Sequence, residues 1–260
     1  NHSSVKFPKS TTHARHLPRG VYSCAKFLLL LLCNFIFKSD DMKIINFAEQ
    51  KTVVNKYMAE LRDVQFQNHR AAFRHNLERI GETMAYEISR TLEYATKEIQ
   101  TPLGIAPTQL YTDHIVLGTI FRAGLPFHQG FLNVFDEADN AFVSAYRFYK
   151  DKECHEVGIH IDYLATPDLN GKTLIIADPM LATGGSMELG LKAFETKGKP
   201  AKVHLCCAIA ARQGVDYLAD AFKDTDYTLW CGAIDPELNE HMYIVPGLGD
   251  AGDLAYGGKL

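Results

Sequence analysis

The stretch from Thr173 to Phe194, TLIIADPMLATGGSMELGLKAF, constrains this chain more than any other part of it. Leu174, Ile175, Ile176 and Ala177 form an unbroken apolar run. Such a run suits a strand buried on both faces, which needs helices on either side of a sheet. Asp178 stands at the carboxyl end of that strand, and Thr183-Gly184-Gly185-Ser186 opens an amphipathic helix. Ligands of open α/β sheets bind off the carboxyl ends of the strands. Gly184 and Gly185 carry no Cβ, so backbone amides can converge on an anion, and the helix N-terminus adds free N–H groups and a favourable dipole. Thr183 and Ser186 supply hydroxyl donors. The arrangement suits a phosphate cradle, with the Asp178 carboxylate one loop-length upstream, where sugar hydroxyls would lie. A plain strand-loop-helix crossover with Ser186 as N-cap is the alternative reading of the same residues.

The rest of the chain supplies the sheet that this unit needs. Phe73, Leu77, Ile80, Met84, Ile88 and Leu92 recur at spacings of three and four, one apolar stripe on a helix that Thr101-Pro102-Leu103-Gly104 should stop. Short apolar runs follow, HIVLGTIF from His114, NAFVSAYRFY from Asn140, KTLIIAD from Lys172, KVHLCCAIAA from Lys202 and YTLWCGAI from Tyr227. They are separated by helix-length segments and Gly-rich turns. Buried strands alternating with helices predict an α/β fold with a mainly parallel sheet flanked by helices.

Residues 1–41 differ from this pattern. They hold six Lys/Arg against two Asp/Glu, whereas the chain from Met42 onward carries a net charge of −8. Their apolar run, Phe27 to Phe37, is shorter than the roughly 20 residues that a spanning helix needs, and its flanks do not suit a secretory signal. We read residues 1–41 as upstream or non-native sequence, with a genuine leader as the alternative, and 42–260 as the folded domain.

Several chemistries are disfavoured. Six cysteines without a Cys-x-x-Cys pair are too sparse for a disulfide scaffold and wrongly spaced for structural zinc, which fits a reducing cytoplasm. A net charge of −4 gives no general attraction to nucleic acid or anionic membrane. The histidines show no ligand spacing, and no protein metal site is read from them. Gly171-Lys172-Thr173 resembles the end of a nucleotide P-loop, but Thr166 replaces its first glycine and the segment precedes a strand. Cys206, Cys207 and Trp230 read as core, and Arg212 as a surface residue opening a helix.

ADPMLATGGS resembles the phosphoribosyl-pyrophosphate (PRPP) motif of uracil phosphoribosyltransferases. IDPELNEHMYIVPGLGDAGD, Ile234 to Asp253, resembles that family's uracil-binding segment, Phe121-Arg122-Ala123-Gly124-Leu125 its pyrophosphate loop, and Tyr146-Arg147 the arginine that follows. The motifs occur in family order from about His114 to the end. The resemblance implies a type I phosphoribosyltransferase core over about 100–231. A small hood would combine the segment from about 232 to 260 with the N-terminal helices.

By resemblance, the activity is uracil plus PRPP giving UMP plus diphosphate, in cytoplasmic pyrimidine salvage by a homodimer or higher homo-oligomer. Asp178, Arg122 and Arg147 would be catalytic. PRPP would be held by those three with Pro179, Met180, Leu181, Ala182, Thr183, Gly184, Gly185, Ser186 and Asp250. Ile244, Gly249, Asp250 and Ala251 would form the uracil pocket. Mg2+ would arrive bound to PRPP. The reaction needs positioning and charge stabilisation with no protein nucleophile. A PRPP-binding regulator or a catalytically lapsed paralogue is the alternative. A regulator acting on nucleic acid should show a basic stripe, which the acidic chain after Met42 lacks. Three segments depart from the family pattern: Pro126-Phe127-His128 after the arginine loop, the lid region from Phe148 to Asn170, and the ending LAYGGKL.

Overall fold

The computed structural model describes residues 42–149 and 157–258. The segment read as non-native, the KDKECHE run at 150–156 and the last two residues lie outside the described residues. Strand β1 (Lys43–Asn46) leads into helices α1 (Val54–Arg62) and α2 (Arg70–Ser89), then the hairpin β2 (Tyr94–Gln100) and β3 (Ile105–Tyr111). The alternating part follows, with β4 (Ile115–Ile120), α3 (Gly124–Val134), β5 (Asp139–Tyr149), β6 (Val157–Ala165), β7 (Thr173–Ala177) and the short β8 (Met180–Leu181). Helix α4 (Gly185–Glu195), β9 (Lys202–Ala211), α5 (Arg212–Ala221) and β10 (Tyr227–Asp235) continue it. The chain ends through β11 (Glu237–Leu238), β12 (Ile244–Val245) and α6 (Ala251–Tyr256).

The central sheet runs β1-β10-β9-β7-β4-β5-β6, with β8 also on β9. Every pairing is parallel except β5 with β6. The five apolar runs noted above became β4, β5, β7, β9 and β10, and β4 and β7 are buried along their whole length. Helices α1, α2 and α3 pack on one face through Met58, Leu61, Phe73, Leu77, Ile80, Met84, Phe127 and Phe131. Helices α4 and α5 cover the other through Met187, Leu191, Phe194, Val215 and Leu218. Each such side chain contributes about 1.5–3 kcal/mol of transfer free energy. A sheet covered on both sides is what continuous apolar strands require.

One expectation is corrected. Helix α2 ends at Ser89, well before Thr101, and Leu92 is buried beyond its end. Thr101 to Gly104 is instead the tip of the β2–β3 hairpin: Thr101 N donates to Gly104 O at 2.8 Å, and the Thr101 hydroxyl accepts from Gly104 N at 3.1 Å. Tyr94, Thr96 and Ile99, aromatic and β-branched, favour an extended chain over a further helical turn. No helix among the described residues is long and apolar enough to cross a membrane.

Candidate active site

The cradle is built outward from β9. Asp178 N donates to Cys206 O at 3.1 Å, and Pro179 O accepts from Ala208 N and Ile209 N at 3.1 and 3.0 Å. The loop after β7 is thereby stitched to the neighbouring strand before β8 continues the pairing. Asp178 is half-buried on this floor and its Oδ1 accepts from Met180 N at 3.3 Å. Burial pushes its carboxyl from 3.8 up to about 7, against the opposing pull of that N–H.

Gly184 stands at the N-cap of α4 with φ of 87°, and no side chain caps the helix there. Ser186 is therefore not the N-cap: it lies exposed in the first turn, near N–H groups that have no intrahelical acceptor. A Cβ on Gly184 would lie 2.6 Å from Tyr217 Cδ1 and 3.1 Å from Gly214 O, both on α5. That helix thus supports the loop from behind. Tyr217 donates its hydroxyl proton to Glu188 on α4, which also pairs with Lys192 at 2.7 Å. Met180, Leu181, Ala182, Thr183, Gly184, Ser186 and Met187 line a cavity of about 60 Å3, about twice the ~30 Å3 share of one water. Its small size and convergent N–H donors suit a single anionic group.

Arg122 follows the carboxyl end of β4 across a cis Phe121–Arg122 peptide. Its Nη2 pairs with Asp253 Oδ1 at 2.9 Å and its Nη1 donates to Gly257 O at 3.3 Å. The guanidinium thus touches the C-terminal segment while remaining partly open to a ligand. Arg147 is placed on β5, its backbone in register with Ile159 of β6.

The segment that the sequence assigns to the base begins at Ile244, buried on β12 and paired with Leu238. After the cis Val245–Pro246 bond, the chain turns through Gly247 and Gly249 into α6. Asp250 caps that helix, accepting from Asp253 N at 3.0 Å. Its carboxylate is thus engaged in holding the segment's shape. Ala251 N donates to Met180 Sδ at 3.4 Å, bringing the C-terminal segment against the phosphate loop. Asp178 with Pro179 to Ser186, Arg122, and Ile244 to Ala251 therefore surround one region.

Sequence reasoning gave no role to Arg62, Gln67, Asp235 or Asp253. Arg62, the last residue of α1, makes two 2.7 Å bonds to Asp235, whose Oδ2 also accepts from Gly247 N at 2.8 Å. Gln67 Nε2 donates to Leu248 O at 3.1 Å. An acid ending the apolar run of β10 signals a buried charge that needs a partner. The residue that answers it lies on a distant helix without any motif.

Buried cysteines and histidine behave as expected of core. Burial pushes the thiols of Cys206 and Cys207 well up. His204 is pulled down to about 4 by burial, and its Nδ1 accepts from Trp230 Nε1 at 3.2 Å. Arg212 opens α5 at the surface.

Comparisons with known proteins give the family and the fold. The family model described as uracil phosphoribosyltransferase matches residues 48–258. The uracil phosphoribosyltransferase of Porphyromonas gingivalis is 54% identical over 219 residues, 84% of this chain and 100% of that protein. That of Methanothermobacter thermautotrophicus is 45% identical over 72% of this chain and 84% of its own length. The solved structure of the Aquifex aeolicus protein AQ2163 superposes with a TM-score of 0.73 at 31% identity, covering 84% of this chain and 99% of that one. With the family model matched over 48–258 and the full length of the Porphyromonas gingivalis protein covered at 54% identity, the chain belongs to the uracil phosphoribosyltransferase family.

Proposed function

We propose that the chain transfers the phosphoribosyl group of PRPP to the N1 of uracil, giving UMP and diphosphate in pyrimidine salvage. The observation that carries this reading is the contact of Ala251 with Met180, which sets the glycine turn of residues 247–251 beside the small cavity at the start of α4. The C1–O bond to pyrophosphate breaks as the C1–N1 bond forms, the bonding pair leaves with diphosphate, and the N1 proton passes to diphosphate or to water. The amides from Ala182 to Ser186 anchor the 5′-phosphate. Asp178 accepts hydrogen bonds from the ribose hydroxyls and opposes the positive charge that develops on the sugar. Arg122 and Arg147 hold the departing pyrophosphate, where planar guanidinium forks match phosphate oxygens. For Arg122 this means exchanging its Asp253 partner for the leaving group.

Magnesium fits as an ion carried on PRPP. No group of three His, Cys, Asp or Glu side chains among the described residues could form a protein cage, and Asp250 is engaged as a helix cap. A hard octahedral ion that keeps its waters and phosphate oxygens needs at most one or two carboxylates. It would neutralise pyrophosphate charge, with Asp250, whose Oδ1 caps α6, as the carboxylate that the resemblance places near it. Self-association into at least a homodimer belongs to the same reading. It is supported by the projecting β2–β3 hairpin, on which Ile105 and Leu103 are exposed.

Diphosphate release from PRPP across a panel of bases tests the proposal. Uracil should be consumed with formation of UMP. Release with no base preference, or none at all, would overturn it. No observation in the structure favours a regulator or a lapsed enzyme.

A further inference from the structure

We infer that Arg62, Gln67 and Asp235 are positioning residues for base selection, setting the peptide planes of the turn that reads uracil. The inference rests on the reading above that residues 244–251 recognise the base. Asp235 is 5% exposed at the end of β10 and takes both Arg62 bonds and the Gly247 N–H. Arg62 Nη1 also donates to Gly247 O at 3.1 Å, so one ion pair grips the same residue at its amide and its carbonyl. Gln67 Nε2 bridges Leu61 O and Leu248 O at 3.0 and 3.1 Å. An Asp63-centred turn presents Gln67, with Gln65 N on Asp63 Oδ1 and Gln67 N on Asp63 O, each at 2.8 Å.

Three main-chain groups just before Gly249 are therefore held by side chains from elsewhere in the chain. A buried ion pair is a poor stabiliser compared with well-packed apolar residues, because desolvation offsets the attraction. An apolar pair could not hold a peptide plane against rotation. The fork of Arg62 and the carboxylate of Asp235 can, since their bonds define which way the Gly247 amide and carbonyl point. Main-chain groups that follow in Gly249 to Ala251 inherit that orientation. Discrimination between uracil and a base with inverted donors and acceptors depends on it.

Arg62→Lys and Gln67→Ala test this. Lysine keeps the charge but has no fork to reach both Asp235 oxygens and Gly247 O. KM for uracil should rise about tenfold, the equivalent of about 1.4 kcal/mol, while KM for PRPP stays within about twofold. The uracil-to-cytosine ratio of kcat/KM should fall by a similar factor, and the Gly247 amide should exchange with solvent faster. Equal changes in both KM values, or a lowered Tm with unchanged base preference and Gly247 exchange, would overturn the inference. If Arg62→Lys does not fold, Gln67→Ala leaves the ion pair intact, and its KM split and base ratio decide. Should the wild-type protein make no UMP, the proposed activity fails, while the effect of Arg62→Lys on Gly247 exchange still reports on the clamp.

Discussion

The proposed phosphate cradle and the proposed base-reading turn meet at Met180 and Ala251 but are held by different means. The cradle is a continuous strand, loop and helix whose backbone is stitched to β9 and backed by α5. The base turn follows the two-residue strand β12 and packs Ile244, Leu248 and Ala251 into the core, while Arg62, Gln67 and Asp235 bind its main-chain groups. A phosphate is nearly symmetric and asks only for convergent N–H groups. A pyrimidine edge asks for a set order of donors and acceptors, which a loop of glycines cannot hold by itself.

The largest effect that would sharpen this contrast lies in base choice. Uracil presents a donor at N3 and an acceptor at its 4-oxo group, and cytosine inverts both. Rigid main-chain partners should reject cytosine by roughly 10⁴-fold in kcat/KM. A cytosine value within about tenfold of uracil would sink the backbone-readout model.

On the cradle side, Asp178→Asn should lower kcat roughly a hundredfold, the equivalent of about 3 kcal/mol of lost transition-state stabilisation. Its Tm should equal or exceed that of the parent, because burial disfavours the charge that the substitution removes. A variant with unchanged kcat would remove Asp178 from the mechanism.

Two glycines separate the regions further. Gly184→Ala meets α5 at 2.6 Å as well as a left-handed φ of 87°, and should cost on the order of 1–3 kcal/mol of stability and weaken PRPP binding. Gly249→Val has open space, its nearest atom Leu254 Cδ1 at 3.7 Å, but a φ of 90°. It should narrow the uracil-to-cytosine ratio with KM for PRPP little changed, as steady-state kinetics would show.

The smallest effect is on pH dependence. With its carboxyl raised to about 7, Asp178 is protonated below that pH and cannot accept from both ribose hydroxyls. The kcat/KM for PRPP should climb as pH rises through about 7 and level off above it, and Asp178→Asn should lack this limb. The folded state retains a proton that the unfolded chain releases between 3.8 and about 7, so this group's contribution to stability falls as pH rises through that window. Urea titrations of the two proteins at pH 5 and 8 measure the difference.

The α/β class, the five main strands and the cradle were legible because each is local: unbroken apolar runs demand two-sided burial, and glycines before a helix leave N–H groups free. The hairpin tip was misread because Pro and Gly end a helix and turn a hairpin with equal ease, and only the partner strand Ile105–Tyr111 tells the two apart. Strand β1 stayed hidden in four residues at the sheet edge, whose pairing with β10 spans almost the whole domain.

By itself, the sequence determined that a glycine-bearing loop opens a helix just after β7 and that the chain ends in glycine turns, since backbone shape there follows from residue type. Tertiary structure alone decided that Arg122 meets Asp253 and that Arg62 reaches Asp235 and Gly247, across 131, 173 and 185 positions of chain. A charge advertises that it needs a partner. Which partner answers depends on how helices pack on the sheet, and that packing is a property of the whole core.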